Sequence, residues 1–137
     1  MEIRGHGIDL VEIARIERML EQHGERFLAR CFTEVERTYA DSGGGRRAER
    51  YAARFAGKEA VLKAIGTGWA QGTRWTEIGF DHETGGRPIV EVSGTCAEMA
   101  AARGITRWQV SFSHTGTLAI ASVIGVGGIP STEMRIG

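Results

Sequence analysis

The chain has 137 residues, enough for one domain with a real core and too few for two. Hydrophobic residues make up 42 % and charged residues 25 %, the ordinary balance of a globular protein in water. Lys+Arg and Asp+Glu are both 17, so no overall field points to nucleic acid or to a membrane surface.

Taken in chain order, Ile3-Arg4-Gly5-His6-Gly7-Ile8-Asp9 predicts a short strand that ends at Asp9. A helix with apolar positions Ile13, Ile16, Met19 and Leu20 follows, to about Gly24. Asp9 then has two compatible uses, as the N-cap of that helix or as a carboxylate ligand of a divalent cation. Thr33 with Glu36 three residues on is a capping box that opens a second helix. Residues 41–46 form a glycine-rich loop. A long helix spans Arg47 to Ile65, and Gly66-Thr67-Gly68 stops it.

Residues 78–82 and 89–92 read as two strands joined by a turn at 84–88. A short Ala-rich helix covers 95–103. A strand over 108–113 turns Trp108, Val110 and Phe112 inward, His114-Thr115-Gly116 breaks the chain, and a largely buried strand covers 118–124. The glycine-rich end is expected to be a flexible tail over 126–137, after a single domain over 1–125. The fold class is α+β, a mostly antiparallel sheet packed against the long helix.

Cys31 and Cys96 are isolated and fit a reduced, cytoplasmic setting. No apolar run is long enough to span a membrane, and Glu2, Arg4 and Asp9 stand where a signal peptide would be apolar. His6, His23, His82 and His114 lack zinc-ligand spacing.

The long helix carries the densest chemistry. Glu59 and Lys63 stand one turn apart on one face, and Ala52 and Ala56 share it, which leaves a floor of methyl groups beside two long polar side chains. Glu is a hard oxygen ligand for a divalent cation and Lys a point charge for phosphate. The alternative is an intrahelical Glu–Lys pair that serves only helix stability. Arg46, Arg47, Arg50 and Arg54 cluster ahead of that site and offer a basic face on which phosphate could dock, or simply a solvated helix start.

Five blocks carry a resemblance: Gly7-Ile8-Asp9-Leu10-Val11 with Arg15; Phe32-Thr33 with Glu36; Arg54-Phe55-Ala56 with Lys58-Glu59-Ala60 and Lys63-Ala64; Gly86-Arg87-Pro88; and Ser111, Ser113 and His114. In this order and spacing, over residues 3 to 124, the chain resembles holo-[acyl-carrier-protein] synthase, the small bacterial-type 4′-phosphopantetheinyl transferase. Gly57 stands where many relatives have alanine, and Thr115 where another polar residue is common.

The resemblance implies that the phosphopantetheine arm of coenzyme A is moved, with Mg²⁺, onto a serine of an apo acyl carrier protein, releasing adenosine 3′,5′-bisphosphate. It implies that Asp9 and Glu59 hold the metal. Lys63 stabilises charge on the phosphate, and either Glu59 or a metal-bound water takes the serine proton. His114 sits near the nucleotide, or else merely packs at a strand end. Coenzyme A contacts are implied for Arg54, Lys58, Lys63, Gly66, Gly68, Gly86, Arg87, Pro88, Ser113 and His114. The turn at 86–88 and the stop at 66–68 have plain structural readings as well. Arg15 matches the family's docking arginine for the acidic carrier, and Arg18 lies on the same face. The family's members are usually trimers with sites shared between subunits. Which carrier is modified, for fatty acids or polyketides, stays open.

Overall fold

The computed structural model describes residues 1–68 and 72–128. In order, the elements are β1 (Glu2–Glu12), α1 (Ile13–Cys31), α2 (Glu34–Asp41), α3 (Arg47–Ile65), β2 (Ile78–His82), β3 (Pro88–Val92), α4 (Gly94–Ala102), β4 (Arg107–His114) and β5 (Leu118–Gly127). β1, β5 and β4 form an antiparallel sheet in that order, and β2 pairs with β3 as an antiparallel hairpin. This is the α+β architecture expected, with the long helix on one face of the larger sheet.

β5 is central because it is flanked on both sides, and its alternation is clean. Ala119, Ala121 and Val123 are fully buried beneath α3. Small side chains here let the helix sit close, and β1 carries the same idea further. An added Cβ at Gly7 would lie 1.9 Å from the carbonyl oxygen of Ala60, and one at Gly5 2.1 Å from that of Ala64. Strand backbone therefore rests directly on helix backbone, which only glycine permits. Gly7→Ala is expected to destabilise the fold by about 1–3 kcal/mol, read from chemical denaturation, because backbone and not a flexible side chain must give way. A wild-type midpoint would contradict that packing.

α3 has the predicted bounds. Gly66, at φ 90°, caps it and donates its N–H to Leu62 O. Gly57 in its interior is a local cost that the packing explains: Phe80 and Phe112 meet edge-to-face at 5.3 Å over it, and an added Cβ would lie 2.6 Å from Phe80. The capping box at Thr33 and Glu36 is present in both directions.

Three expectations need correction. β1 runs on to Glu12, so Asp9 is a mid-strand residue paired with Ala121 and caps no helix. α1 does not stop at Gly24. That residue breaks the helical geometry (φ 44°, ψ −120°), and the helix resumes to bury Phe27, Leu28 and Cys31. β5 extends through Val126 and Gly127, with Gly127 paired to Glu2, so the sheet takes two residues from the expected tail. Residues 129–137 of that tail lie outside the described ones.

Candidate functional site

Between Tyr51 and Ile65 every residue of α3 is buried except Glu59 and Lys63. Burial all round is unusual for a helix carrying that many polar residues, and it singles out the two that reach solvent. Ala52 and Ala56, expected as an open floor, are fully buried, so the methyl face is core packing.

The close seat of β1 on α3 brings Asp9 to this pair. Lys63 Nζ donates to the carbonyl oxygen of Ile8 at 3.0 Å and stands 3.0 Å from Asp9 Oδ1. Asp9 and Lys63 are 54 residues apart in sequence, yet they meet at the strand–helix seam, with Glu59 one helical turn from Lys63. Two carboxylates beside one ammonium leave a net negative charge, an arrangement that favours a cation. Among the described residues no group of three His, Cys, Asp or Glu could hold a metal. A cation here would have two carboxylate ligands and complete its shell from ligand oxygens and water. Mg²⁺ is ordinarily held in that way, so the donor set fits it.

A second cluster lies at the other end of α3. His114 Nε2 is 2.8 Å from Glu49 Oε1, and Arg46 Nε is 3.1 Å from Glu49 Oε2. The Arg46 hydrogen bond holds the Glu49 carboxyl below its ordinary range. A small cavity of about 90 Å³ is bordered by Tyr39, Arg46, Glu49, Arg50, Arg54, Ser113 and His114. Three arginines at i, i+4 and i+8 give it a strongly positive wall. Glu49 and Glu59 are ten residues apart, about 15 Å along a helix axis. Within one chain, then, the His114–Glu49 pair does not join Glu59 and Lys63.

The turn at 86–88 forms a third region. Gly85 and Gly86 take left-handed backbone (φ 100° and 91°), and Arg87 Nη2 donates to Gln109 Oε1 of β4 at 3.1 Å. Pro88 opens β3. Gly68 is also left-handed (φ 62°) and follows the Gly66 cap that ends α3 just beyond Lys63.

The family model described as the 4′-phosphopantetheinyl transferase superfamily matches residues 5–121. The chain is 47 % identical to the holo-[acyl-carrier-protein] synthase of Desulforudis audaxviator over 135 residues, covering 97 % of this chain and 98 % of that protein. The crystal structure of the Neisseria meningitidis holo-[acyl-carrier-protein] synthase superposes with a TM-score of 0.81 at 30 % identity, covering 91 % and 99 % of the two chains. The Bacillus anthracis enzyme, solved in complex with CoA (3′,5′-ADP), gives 0.75 at 35 % identity, covering 92 % and 98 %. The chain belongs to the 4′-phosphopantetheinyl transferase superfamily. Within that family it is a transferase of the holo-[acyl-carrier-protein] synthase kind.

Not every residue assigned by resemblance to this transferase's nucleotide site reaches solvent. Lys58 is fully buried: its Nζ pairs with Glu36 Oε1 at 2.8 Å and donates to the carbonyl oxygens of Ile78 and, at 3.2 Å, Trp75. Its neighbour in sequence points outward and it points inward, because 100° per residue separates them on the helix. Lys58 is thus a core cation and not a phosphate contact. Arg54 is 3 % exposed and reaches only the small cavity.

Tyr39, Glu49 and the tertiary contacts of Glu36 escaped sequence reasoning. Each of the three is a common helix residue whose partner lies on another element or more than one turn away, and no local pattern marks such a pair. Arg15 and Arg18 are exposed on α1, with the Arg15 guanidinium 5.6 Å from the Phe55 ring centroid. Beside them is a groove of about 390 Å³ with Met19, Phe27 and Phe55 at its base and His23, Arg26 and Arg30 on its rim.

Proposed function

We propose that this transferase moves the 4′-phosphopantetheine group from coenzyme A to a serine of an apo acyl carrier protein, in a Mg²⁺-dependent reaction that releases adenosine 3′,5′-bisphosphate. The observation that carries this reading is the Asp9–Lys63 contact one helical turn from Glu59, Glu59 and Lys63 being the two residues of α3 between Tyr51 and Ile65 that are not buried. In the displacement, the serine oxygen forms a bond to the β-phosphorus of the coenzyme diphosphate and the bond to the bisphosphate leaving group breaks.

Asp9 and Glu59 would hold Mg²⁺ against the diphosphate. When bound, that ion neutralises phosphate charge and aligns the reacting group. Glu59, or a water on the metal, would take the serine proton. Lys63, anchored by the Ile8 carbonyl oxygen, stabilises charge on the phosphate oxygens. Arg54, Ser113 and His114 face the nucleotide portion, and Gly66, Gly68 and the Gly86-Arg87-Pro88 turn border it.

One chain holds the His114–Glu49 pair about 15 Å along the helix from Glu59, so the reading includes a homotrimer in which a site draws on two subunits. The outer face of the sheet supports this. Ile3, Ile8 and Leu10 are 70 %, 55 % and 56 % exposed, and Leu10 pairs with Ile120 of β5, which continues the apolar face. A surface that apolar marks an interface. Light scattering on a sizing column is expected to give three times the chain mass; a monomer would contradict it. The setting is cytoplasmic, where the carrier is made.

An acidic carrier would dock on α1. Arg15→Glu is expected to weaken carrier binding about tenfold or more, while coenzyme A affinity changes less than about twofold, both by calorimetry. Equal loss of both would show misfolding instead. The reaction itself is tested by incubating the chain with coenzyme A, Mg²⁺ and apo acyl carrier protein and weighing the carrier by mass spectrometry. The expected result is a gain of one phosphopantetheine that a chelator prevents. No gain with carriers of either fatty-acid or polyketide type would overturn the proposal.

A further inference from the structure

Arg54 is a buried guanidinium with no carboxylate in ion-pair contact among the described residues. Its planar group lies 4.5 Å from the Tyr39 ring centroid and 4.7 Å from that of Phe112, and its Nε is buried with no hydrogen-bond partner. Burial lowers its pKa, and Tyr39 and the charge of Glu36 oppose that only in part, so the buried charge is incompletely compensated and costly. The cavity it borders is shared with Arg46, Arg50, Ser113, His114 and Glu49; the Glu49 carboxylate is taken up by Arg46 and His114, so an anion entering the cavity is what would compensate Arg54.

Arg54 is held there by Tyr39 and by a directional contact to His82. Its Nη2 lies 2.9 Å from His82 Nε2. Arginine can only donate, so Nε2 must be the bare acceptor nitrogen of a neutral imidazole. The His82 ring in turn packs on Tyr39, with centroids 4.5 Å apart, and its backbone N–H donates to Asp81 Oδ1 at 2.8 Å. Imidazole and two guanidiniums thus gather around the Tyr39 ring, since Arg50 also lies over it, at 4.2 Å.

We propose that His82 is a positioning residue for nucleotide binding: its neutral Nε2 holds the Arg54 guanidinium in the cavity, where it meets a phosphate group of the coenzyme. This rests on the coenzyme A reading above and adds a residue which neither the family motifs nor the resemblance points to. The groups that face His82 are Tyr39 from α2, Arg50 and Arg54 from α3, and Asp81 from its own strand. Burial, then Arg54, holds its pKa below the ordinary value of about 6.5, with Asp81 opposing. The neutral form is therefore the resting one at neutral pH. Acidification below that value turns the acceptor into a second cation facing Arg54 and Arg50.

The test compares wild type, His82→Ala and His82→Gln, with coenzyme A as the probe, by calorimetry and by the KM for coenzyme A between about pH 5.5 and pH 8. At pH 8 His82→Ala is expected to raise KM about tenfold with kcat near that of wild type, since only the positioning of a binding group is lost. His82→Gln presents an amide oxygen at a similar reach, so it is expected to restore most of that KM. It cannot titrate, so its KM is expected to rise less on acidification than that of wild type. The second pKa of the coenzyme's own phosphate affects all three proteins alike and cancels in this comparison.

His82→Ala with a wild-type KM, or His82→Gln with the full acid-side loss, would overturn the proposal and leave the transferase reading standing. Should His82→Ala not fold, the wild-type and His82→Gln profiles decide the matter by the same criterion. A wild-type protein that neither binds coenzyme A nor transfers its arm at any pH would instead defeat the reading on which this proposal rests.

Discussion

Replacing Glu59 by Gln is expected to lower phosphopantetheine transfer at least about a thousandfold, while the melting temperature stays within about two degrees of wild type. The two halves of this expectation have separate causes. Glu59 is half-buried at the strand–helix seam, where Gln keeps the size and the helix propensity but loses the charge. Two carboxylates close together can hold a cation, and one carboxylate beside the Lys63 ammonium holds it far less well. Transfer is read by the carrier's mass gain and stability by calorimetric melting. Full transfer by Glu59→Gln would remove Glu59 from the site. Loss of transfer with a large drop in melting temperature would make it a structural residue.

The largest effect on stability is expected at the buried Glu36–Lys58 pair. Glu36 joins three elements: Oε1 accepts from the backbone N–H of Thr33 at 2.8 Å, Lys58 Nζ pairs with it at 2.8 Å, and Oε2 accepts from Phe80 N–H at 3.0 Å. Glu36→Ala leaves an ammonium in the core with only carbonyl oxygens around it, and about 3–5 kcal/mol of stability is expected to go. Burial lowers the Lys58 pKa, and the charge of Glu36 opposes that lowering, so without Glu36 the ammonium loses its main support. Glu36→Leu combined with Lys58→Met removes both charges and is expected to recover much of the loss in a double-mutant cycle. A Glu36→Ala protein within about 1 kcal/mol of wild type would show that the pair does not carry the junction of α2, α3 and β2.

Lys58 and Lys63 also show where sequence reading reaches its limit. Both are lysines on the same helix, and both match a family motif. One is held in the core by a glutamate 22 residues earlier, whose visible sequence role is only a capping box. A capping box is local and legible; the third contact of the same carboxylate is tertiary and is not. The bounds of α3 were legible because a left-handed glycine ends it. The end of β1 was not, because Asp is as common before a helix as it is unusual in a strand, and only the pairing with β5, more than a hundred residues on, overrides that preference.

Asp9 was nevertheless identified as a candidate ligand beside Glu59 and Lys63, and the chain does bring it to Lys63. Gly5 and Gly7, legible in sequence only as strand residues, are what make that contact possible. Two glycines at alternate positions of a strand allow a close backbone approach, and the approach is to the helix that bears Glu59. The cluster of His82, Arg54 and Tyr39 left no trace in the sequence. Its members come from three elements, and nothing in their spacing says that they meet.

The central claim is that Asp9 and Glu59 together grip one divalent ion on a diphosphate. A crystal grown with coenzyme A and Mn²⁺, with the ion located by its anomalous signal, tests it most directly. The expected result is a single peak with one oxygen each from Asp9 and Glu59 at roughly 2.0–2.3 Å and its remaining ligands from diphosphate and water. A peak bound by other side chains, or coenzyme A seated with its diphosphate far from both carboxylates of every subunit, would contradict it.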